Sequence, residues 1–156
     1  MHTKSFHADE YLDRDVWYGI THGTLCSEDQ LQEFVCSQGF TSMHSVRQVH
    51  GSTVVNAHSS CNGDEADAIV SYDGGVVLSI RVADCCGIVL YHPHESVYAC
   101  IHSGWRGTKT NIVARTIERI VQDTGIDPSL FRSWLSACAS GQALSLIHIS
   151  EPTRRY

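Results

Sequence analysis

The residues of this 156-residue chain best equipped for chemistry are its ten histidines and seven cysteines. Neutral imidazole is the commonest metal ligand and titrates near neutrality, while a free thiol serves as core filler, ligand or nucleophile. Three of these residues share a setting. His50 stands just past a β-like run in Gln48-Val49-His50-Gly51, Cys85 just past the run 76–82, and His102 just past the run 97–101. The runs 76–82, 87–91 and 97–101 are consecutive and joined by tight turns, which predicts an up-down-up meander whose first and third strands point the same way. Cys85 and His102 then fall at one end of a sheet, on backbones roughly 10 Å apart, two strand spacings of about 4.8 Å. A His, Cys, His set suits Zn²⁺, and three protein ligands leave a fourth position for water that ionises near neutral pH. The spacings, 35 residues from His50 to Cys85 and 17 from there to His102, match no general metal motif. The same residues also have ordinary uses, Cys85 and Cys86 as small buried apolar groups and the histidines as hydrogen-bonding loop residues.

A second feature follows directly. His102-Ser103-Gly104-Trp105-Arg106-Gly107-Thr108-Lys109 joins a strand to a helical pattern and combines two glycines, helix N-terminal N–H groups and two cations. These are the ingredients of a phosphate site; the ordinary alternative is a tight turn with a solvated Arg106. Trp105 either packs this turn or stacks on a planar ligand. Arg81 either meets a substrate anion or pairs with a surface acid, and Asp84 either orients a ligand imidazole or is a plain turn carboxylate. The other histidines, and Cys26, Cys36, Cys61, Cys100 and Cys138, are read as surface or core residues.

The elements that must position these groups are short. The β-branched run 16–21 predicts a strand. Ser27 and Gln30 form a capping box ahead of Leu31, Phe34 and Val35, with Gly39 as the stop of a short helix. From 45 to 101 the runs 45–49, 53–56, 68–71, 76–82, 87–91 and 97–101, punctuated by Asn62-Gly63, Gly74-Gly75 and Pro93, predict a largely antiparallel sheet region. Ile112, Val113, Thr116, Ile117, Ile120 and Val121 share one face of a helical period, with Gly125 past its end, and 132–136 reads as a last strand. The length suits one domain, with no internal repeat or linker. Eleven Lys plus Arg against seventeen Asp plus Glu give a net charge of −6, which opposes capture of a phosphate backbone, so nucleic acid is not an expected partner. No apolar run is long enough to cross a bilayer and the start lacks a signal-peptide h-region, so no membrane partner and a cytoplasmic location are expected.

Gln48-Val49-His50-Gly51, Ala66-Asp67-Ala68, Arg81-Val82-Ala83-Asp84-Cys85 and His102-Ser103-Gly104-Trp105-Arg106-Gly107 stand in the order and spacing of one family. The chain resembles the laccase-domain proteins, first described as multicopper polyphenol oxidases and now regarded as zinc-dependent purine nucleoside phosphorylases with adenosine deaminase activity. The resemblance implies an α/β (α+β) fold of layered mixed and antiparallel sheets covered by helices, similar to the deamidase domain of the cytotoxic necrotizing factor toxins. It implies zinc, with copper belonging to the older description, held by His50, Cys85 and His102 as metal ligands and catalytic residues. Gln48, Arg81 and Arg106 stand at the substrate, and the partners are purine nucleosides and phosphate.

Three departures accompany the match. Cys86-Gly87 replaces a Pro usual soon after the block's cysteine, Thr21-His22-Gly23-Thr24 replaces a Thr-Arg-x-Gly-Gly block, and the Gly-Pro-x-Ile-Gly block is a weak echo near 136–141. The last third of a typical member is absent, and 144–156 reads as the in-frame translation of a sequencing adapter. We therefore expect 1–142 to be an incomplete, C-terminally truncated domain followed by a non-native tail. Two other functional readings stand beside the enzyme: a metal-free Cys-His hydrolase or deamidase with Cys85 as nucleophile, and an inactive truncated fragment.

Overall fold

The computed structural model describes residues 28–140. The strand expected at 16–21, the capping Ser27 and the tail 143–156 lie outside the described residues. Helix α1 (Glu28–Ser37) buries Val35 and closes at Gly39, whose φ of +87° is left-handed. Gly39 N–H donates to the Cys36 carbonyl and Phe40 N–H to that of Val35, which satisfies carbonyls the helix end would orphan.

Strands β1 (Ser42–Ser45), β2 (Val54–Asn56), β3 (Ala68–Ser71), β4 (Val76–Ser79), β5 (Cys86–Tyr91) and β6 (Tyr98–Ser103) follow. After them come the short helix α2 (Trp105–Lys109), helix α3 (Ile112–Thr124), a 3₁₀ turn at Pro128–Leu130 and strand β7 (Arg132–Leu135). The main sheet has the order β2-β3-β6-β5-β7, and β1 pairs with β4 apart from it. β3–β6, β6–β5 and β5–β7 are antiparallel, while β2–β3 and β1–β4 are parallel. The architecture is a layered, mixed α/β one.

Alternation along β6 assigns the layers, because successive side chains point to opposite faces. Ala99 and Ile101, with Ala68, Val70, Ile88 and Leu90, pack on Ile112 and Ile120 of α3. The intervening Tyr98 and Cys100 reach β4 instead, the Tyr98 hydroxyl donating to the Val76 carbonyl and the Cys100 thiol to that of Leu78. α3 thus covers one face of the sheet and the β1–β4 pair the other. α3 keeps its predicted apolar face and ends at Gly125, φ +72°, whose N–H caps the Val121 carbonyl. No helix among the described residues is long and apolar enough to cross a membrane.

Three expectations need correction. The run 45–49 is not a strand: the strand lies earlier, at β1. Beyond Ser45 only an isolated parallel bridge of Arg47 to Glu65 remains, Arg47 N–H donating to the Asp64 carbonyl and Ala66 N–H to that of Arg47. The meander 76–82, 87–91, 97–101 does not form, because β4 leaves the main sheet to pair with β1 and stops at Ser79. Beyond Ser79 a side chain replaces a ladder: Arg81 N–H donates to Gln48 Oε1 at 2.7 Å, and Gln48 Nε2 donates back to the Arg81 carbonyl at 2.7 Å. Finally, the segment after His102 enters α2 rather than the long helix. Thr108 and Thr110 hydroxyls bond the carbonyls of Gly104, Arg106 and Gly107, and Asn111 turns left-handed at φ +57° before α3 begins.

Candidate metal centre

Asp67, one residue ahead of β3 and fully buried, organises the site. The β3–β6 register pairs Ala68 with Ile101, so Asp67 lies across from His102, and the β5–β6 register sets Gly87 on the other side of His102. Cys85, just before β5, therefore arrives at the same end of the sheet. Backbone and side chain both join Asp67 to His102: His102 N–H donates to the Asp67 carbonyl at 2.7 Å, and His102 Nδ1 lies 2.8 Å from Asp67 Oδ1. With Nδ1 facing the carboxylate, Nε2 is the ring nitrogen left to meet a ligand.

The same carboxylate draws in the third candidate donor, His50. It accepts N–H bonds from His50 at 2.9 Å, Gly51 at 2.6 Å and Val49 at 3.3 Å, three successive donors converging on one anion. This arrangement holds His50 at φ +59°, a left-handed conformation that a non-glycine residue adopts rarely and that needs support. The His50 and His102 rings then stand 4.9 Å apart, nearly perpendicular. One donor atom each from His50, Cys85 and His102 lie within 4.8 Å of one another. A tetrahedral ion at ordinary Zn–N and Zn–S lengths spaces its donors about 3.3–3.6 Å apart, so side-chain adjustments on the order of 1 Å bring all three onto one ion. Donor chemistry and second partner both fit, since a metal-bound imidazole ordinarily gives its other nitrogen to a carboxylate or carbonyl.

Burial pushes the Asp67 carboxyl up, but the bonds from His102, Gly51, Val49 and His50 together hold it below the usual carboxylate range. The Cys85 thiol is pushed up, first by burial and then by Asp84, Asp67 and Cys138.

Gly104 forms the floor. A Cβ there would sit 3.0 Å from Cys85 Sγ and 3.2 Å from His50 Cδ2. Its φ of −77° is ordinary, so the space, not the backbone, demands glycine. Gly104→Ala should cost about 1–3 kcal/mol of stability and weaken zinc binding on the order of tenfold, by overpacking the candidate donors. Unaltered affinity in a zinc-competition assay would show the floor to be irrelevant. Gly107 has a supporting part: a Cβ would lie 3.1 Å from the Gly51 carbonyl, so only glycine lets α2 seat against the His50 loop.

The structure thus brings three of the six site residues expected from sequence to one point. Gln48 spends its amide on the Arg81 backbone and so ties the His50 loop to the segment leading to Cys85. Arg106 is exposed, its guanidinium 5.1 Å from the Trp105 ring centroid, so Trp105 packs against a neighbouring cation. Asp84 has its carbonyl bonded by Ala139 N–H and is exposed, and the imidazole-orienting carboxylate is Asp67 instead. Sequence reasoning noted Ala66-Asp67-Ala68 without giving the aspartate a role. The available signal was an acid between two alanines directly ahead of Ile69-Val70, a charge in a stretch that must be buried.

Other histidines keep plain roles. His92 Nδ1 accepts from the N–H groups of His94 and Glu95 in the β5–β6 turn, and His44 Nε2 lies 3.0 Å from the Ser60 hydroxyl.

The chain is similar to several known proteins. A purine nucleoside phosphorylase of Deinococcus radiodurans is 41% identical over 76 residues, 49% of this chain and 30% of that protein. One from Xylella fastidiosa is 31% identical over 126 residues, 76% of this chain and 47% of that protein. The crystal structure of Neisseria meningitidis protein NMB0706 superimposes with a TM-score of 0.62 at 26% identity, covering 74% of this chain and 46% of that one. The chain spans less than half the length of each of these three. The family model described as multi-copper polyphenol oxidoreductase laccase matches residues 27–148, which take in every residue of the centre, and the chain belongs to that family.

Proposed function

We propose that this chain carries the zinc centre of a purine nucleoside phosphorylase that also deaminates adenosine. The carrying observation is the convergence of His50, Cys85 and His102 around Asp67; the names of the relatives support the substrate class. Phosphate attacks C1′ of the nucleoside and the purine leaves, or water replaces the amino group at C6 of adenine. Zinc held by His50, Cys85 and His102 would supply Lewis acidity to the substrate or to water. The chain's own groups do the rest. Asp67 holds the His102 imidazole in the tautomer whose Nε2 faces the centre and fixes the His50 loop. Gly104 keeps side-chain volume out from beneath the ligands. The guanidinium groups of Arg81 and Arg106 are the substrate-anion contacts, and Gln48 contributes by holding the Arg81 backbone.

Arg106→Ala should raise the phosphate concentration needed for base release by about 10- to 100-fold, as expected for a lost charge-assisted bond, with nucleoside binding little changed. An unchanged phosphate requirement in an active variant would remove Arg106 from the site.

One observation favours a second reading. The Asp67–His102 pair would also orient an imidazole beside a Cys85 nucleophile, without metal. Against it, burial and nearby acids raise the thiol, where a dyad needs it lowered, and a dyad has no use for His50. The deciding experiment measures base release from inosine and adenosine, and ammonia release from adenosine, with and without phosphate and with zinc added or chelated. Zinc-dependent, phosphate-dependent base release supports the proposal, chelator-resistant hydrolysis supports the dyad, and zinc binding without turnover marks an inactive fragment.

A further inference from the structure

A polar cavity of about 290 Å³ lies away from the metal centre, at the end of β3 opposite Asp67, between the turn after β2 and the β1–β4 pair. Its size suits a small ligand. Most of the polar groups that line it are spent within the fold. Ser71 Oγ donates to the Asp73 carbonyl at 3.1 Å and accepts from the Asp73 N–H at 3.3 Å, while the Asn62 side chain donates to the Met43 carbonyl and accepts from the Ser45 N–H. His44, which is 7% exposed, is the exception. Ser60 Oγ uses its one hydrogen on the Asn56 carbonyl at 2.7 Å, so it can only accept from His44 Nε2, 3.0 Å away. Nε2 therefore carries the ring hydrogen, and Nδ1 is a bare acceptor that nothing among the described residues meets. Burial, opposed by Asp64, holds this imidazole below the usual histidine range, so Nδ1 stays unprotonated at neutral pH. A buried acceptor without a partner in the fold calls for a donor from outside it.

The other open acceptor in the cavity is the exposed Asp73 carboxylate. His58 Nδ1 stands 3.7 Å from its Oδ2, too far for a hydrogen bond, and among the described residues no Lys or Arg lines the cavity. Acceptors left without a cation favour a ligand that carries donors and positive charge. Met43, Ala57 and Val76 add apolar surface to the same walls. A metal ion is not the occupant, because among the described residues the grouping of His, Cys, Asp or Glu close enough to hold one is that of His50, Cys85 and His102. We propose that this cavity is a binding site for a short aliphatic amine bearing a second donor. The ammonium pairs with Asp73, the second N–H or O–H meets His44 Nδ1, and the alkyl stem lies on Met43, Ala57 and Val76. This inference is independent of the proposed activity.

The test titrates the whole chain, with zinc present, with putrescine at constant ionic strength and follows the imidazole nitrogens by NMR. The expected result is a saturable shift of His44 Nδ1 with a Kd on the order of 1 mM. Tetramethylammonium, a cation without donors, should leave that nitrogen in place. Asp73→Asn should weaken putrescine binding about tenfold or more, as expected for a lost charge-assisted bond, and His44→Phe, which keeps a ring in the buried place, should also weaken it. Because Asp73 is exposed, its variant reads binding without disturbing the core, and the test does not depend on the folding of His44→Phe. Absence of a saturable shift at His44, an equal response to tetramethylammonium, or unaltered affinity in Asp73→Asn would each overturn the proposal. A shift confined to His50 and His102 would place the amine on the zinc and overturn it as well.

Discussion

One equivalent of zinc should remain with the purified chain through gel filtration, and the double variant Cys85→Ala, His102→Ala should retain almost none. The double substitution leaves His50 as the single ligand of the set. Losing even an outer-shell partner costs about 10- to 100-fold in metal affinity, so loss of two direct ligands should exceed that range. Cys86→Ala is the matched control and should keep its zinc, because Cys85 and not Cys86 supplies the sulfur that stands with the two histidines. Elemental analysis reads all three proteins. Full occupancy in the double variant would refute the ligand assignment, and copper in place of zinc, with the strong visible absorption of a copper–thiolate bond, would refute the choice of ion.

The second large effect is expected at Asp67. Asp67→Ala removes the acceptor of three backbone N–H groups and of His102 Nδ1 in a fully buried place. An orphaned buried donor costs about 1–3 kcal/mol, which falls on buried His102, while the N–H groups of exposed Val49 and His50 and half-buried Gly51 are met in part by water, so the total is a sizeable share of the roughly 5–15 kcal/mol by which a domain is stable. We expect large destabilisation in urea unfolding, and a fall of less than about 1 kcal/mol would contradict the role given to this carboxylate. Asp67→Asn separates positioning from folding. The amide keeps the volume and one acceptor but turns a donor toward N–H groups, so the His50 loop loses its anion while the core stays filled. Zinc affinity should drop about 10- to 100-fold, and the cobalt-substituted protein should lose intensity in its thiolate-to-metal charge-transfer band. An Asp67→Asn protein with unaltered affinity and cobalt spectrum would show that Asp67 only stabilises the fold.

Local elements of this chain are legible in its sequence because the forces that set them act within a few residues. The α3 face from Ile112 to Val121, the stops at Gly39 and Gly125, the run at 68–71 and the turns that separate the later strands all depend on side-chain period and on φ values that glycine tolerates. The His, Cys, His set was legible from the four short blocks, whereas the strand ends expected to place it are not there: 45–49 is not a strand, β4 stops at Ser79 and His102 lies inside β6.

How those residues come together was decided in the tertiary structure. Sequence adjacency suggested that the run at 76–82 begins a meander, yet β4 pairs with β1, more than thirty residues earlier, and no local feature marks that choice. Cys85 and His102 still meet, for a different reason: β5 and β6 are direct antiparallel neighbours, and their register pairs Gly87 with His102. His50 reaches them only because three of its loop's N–H groups fall on a carboxylate that enters from β3. Strand pairing and the satisfaction of a buried charge are settled between segments far apart in the chain. The sequence by itself therefore determined which groups could bind a metal, and the register of β3, β6 and β5 about buried Asp67 determined that they face one another.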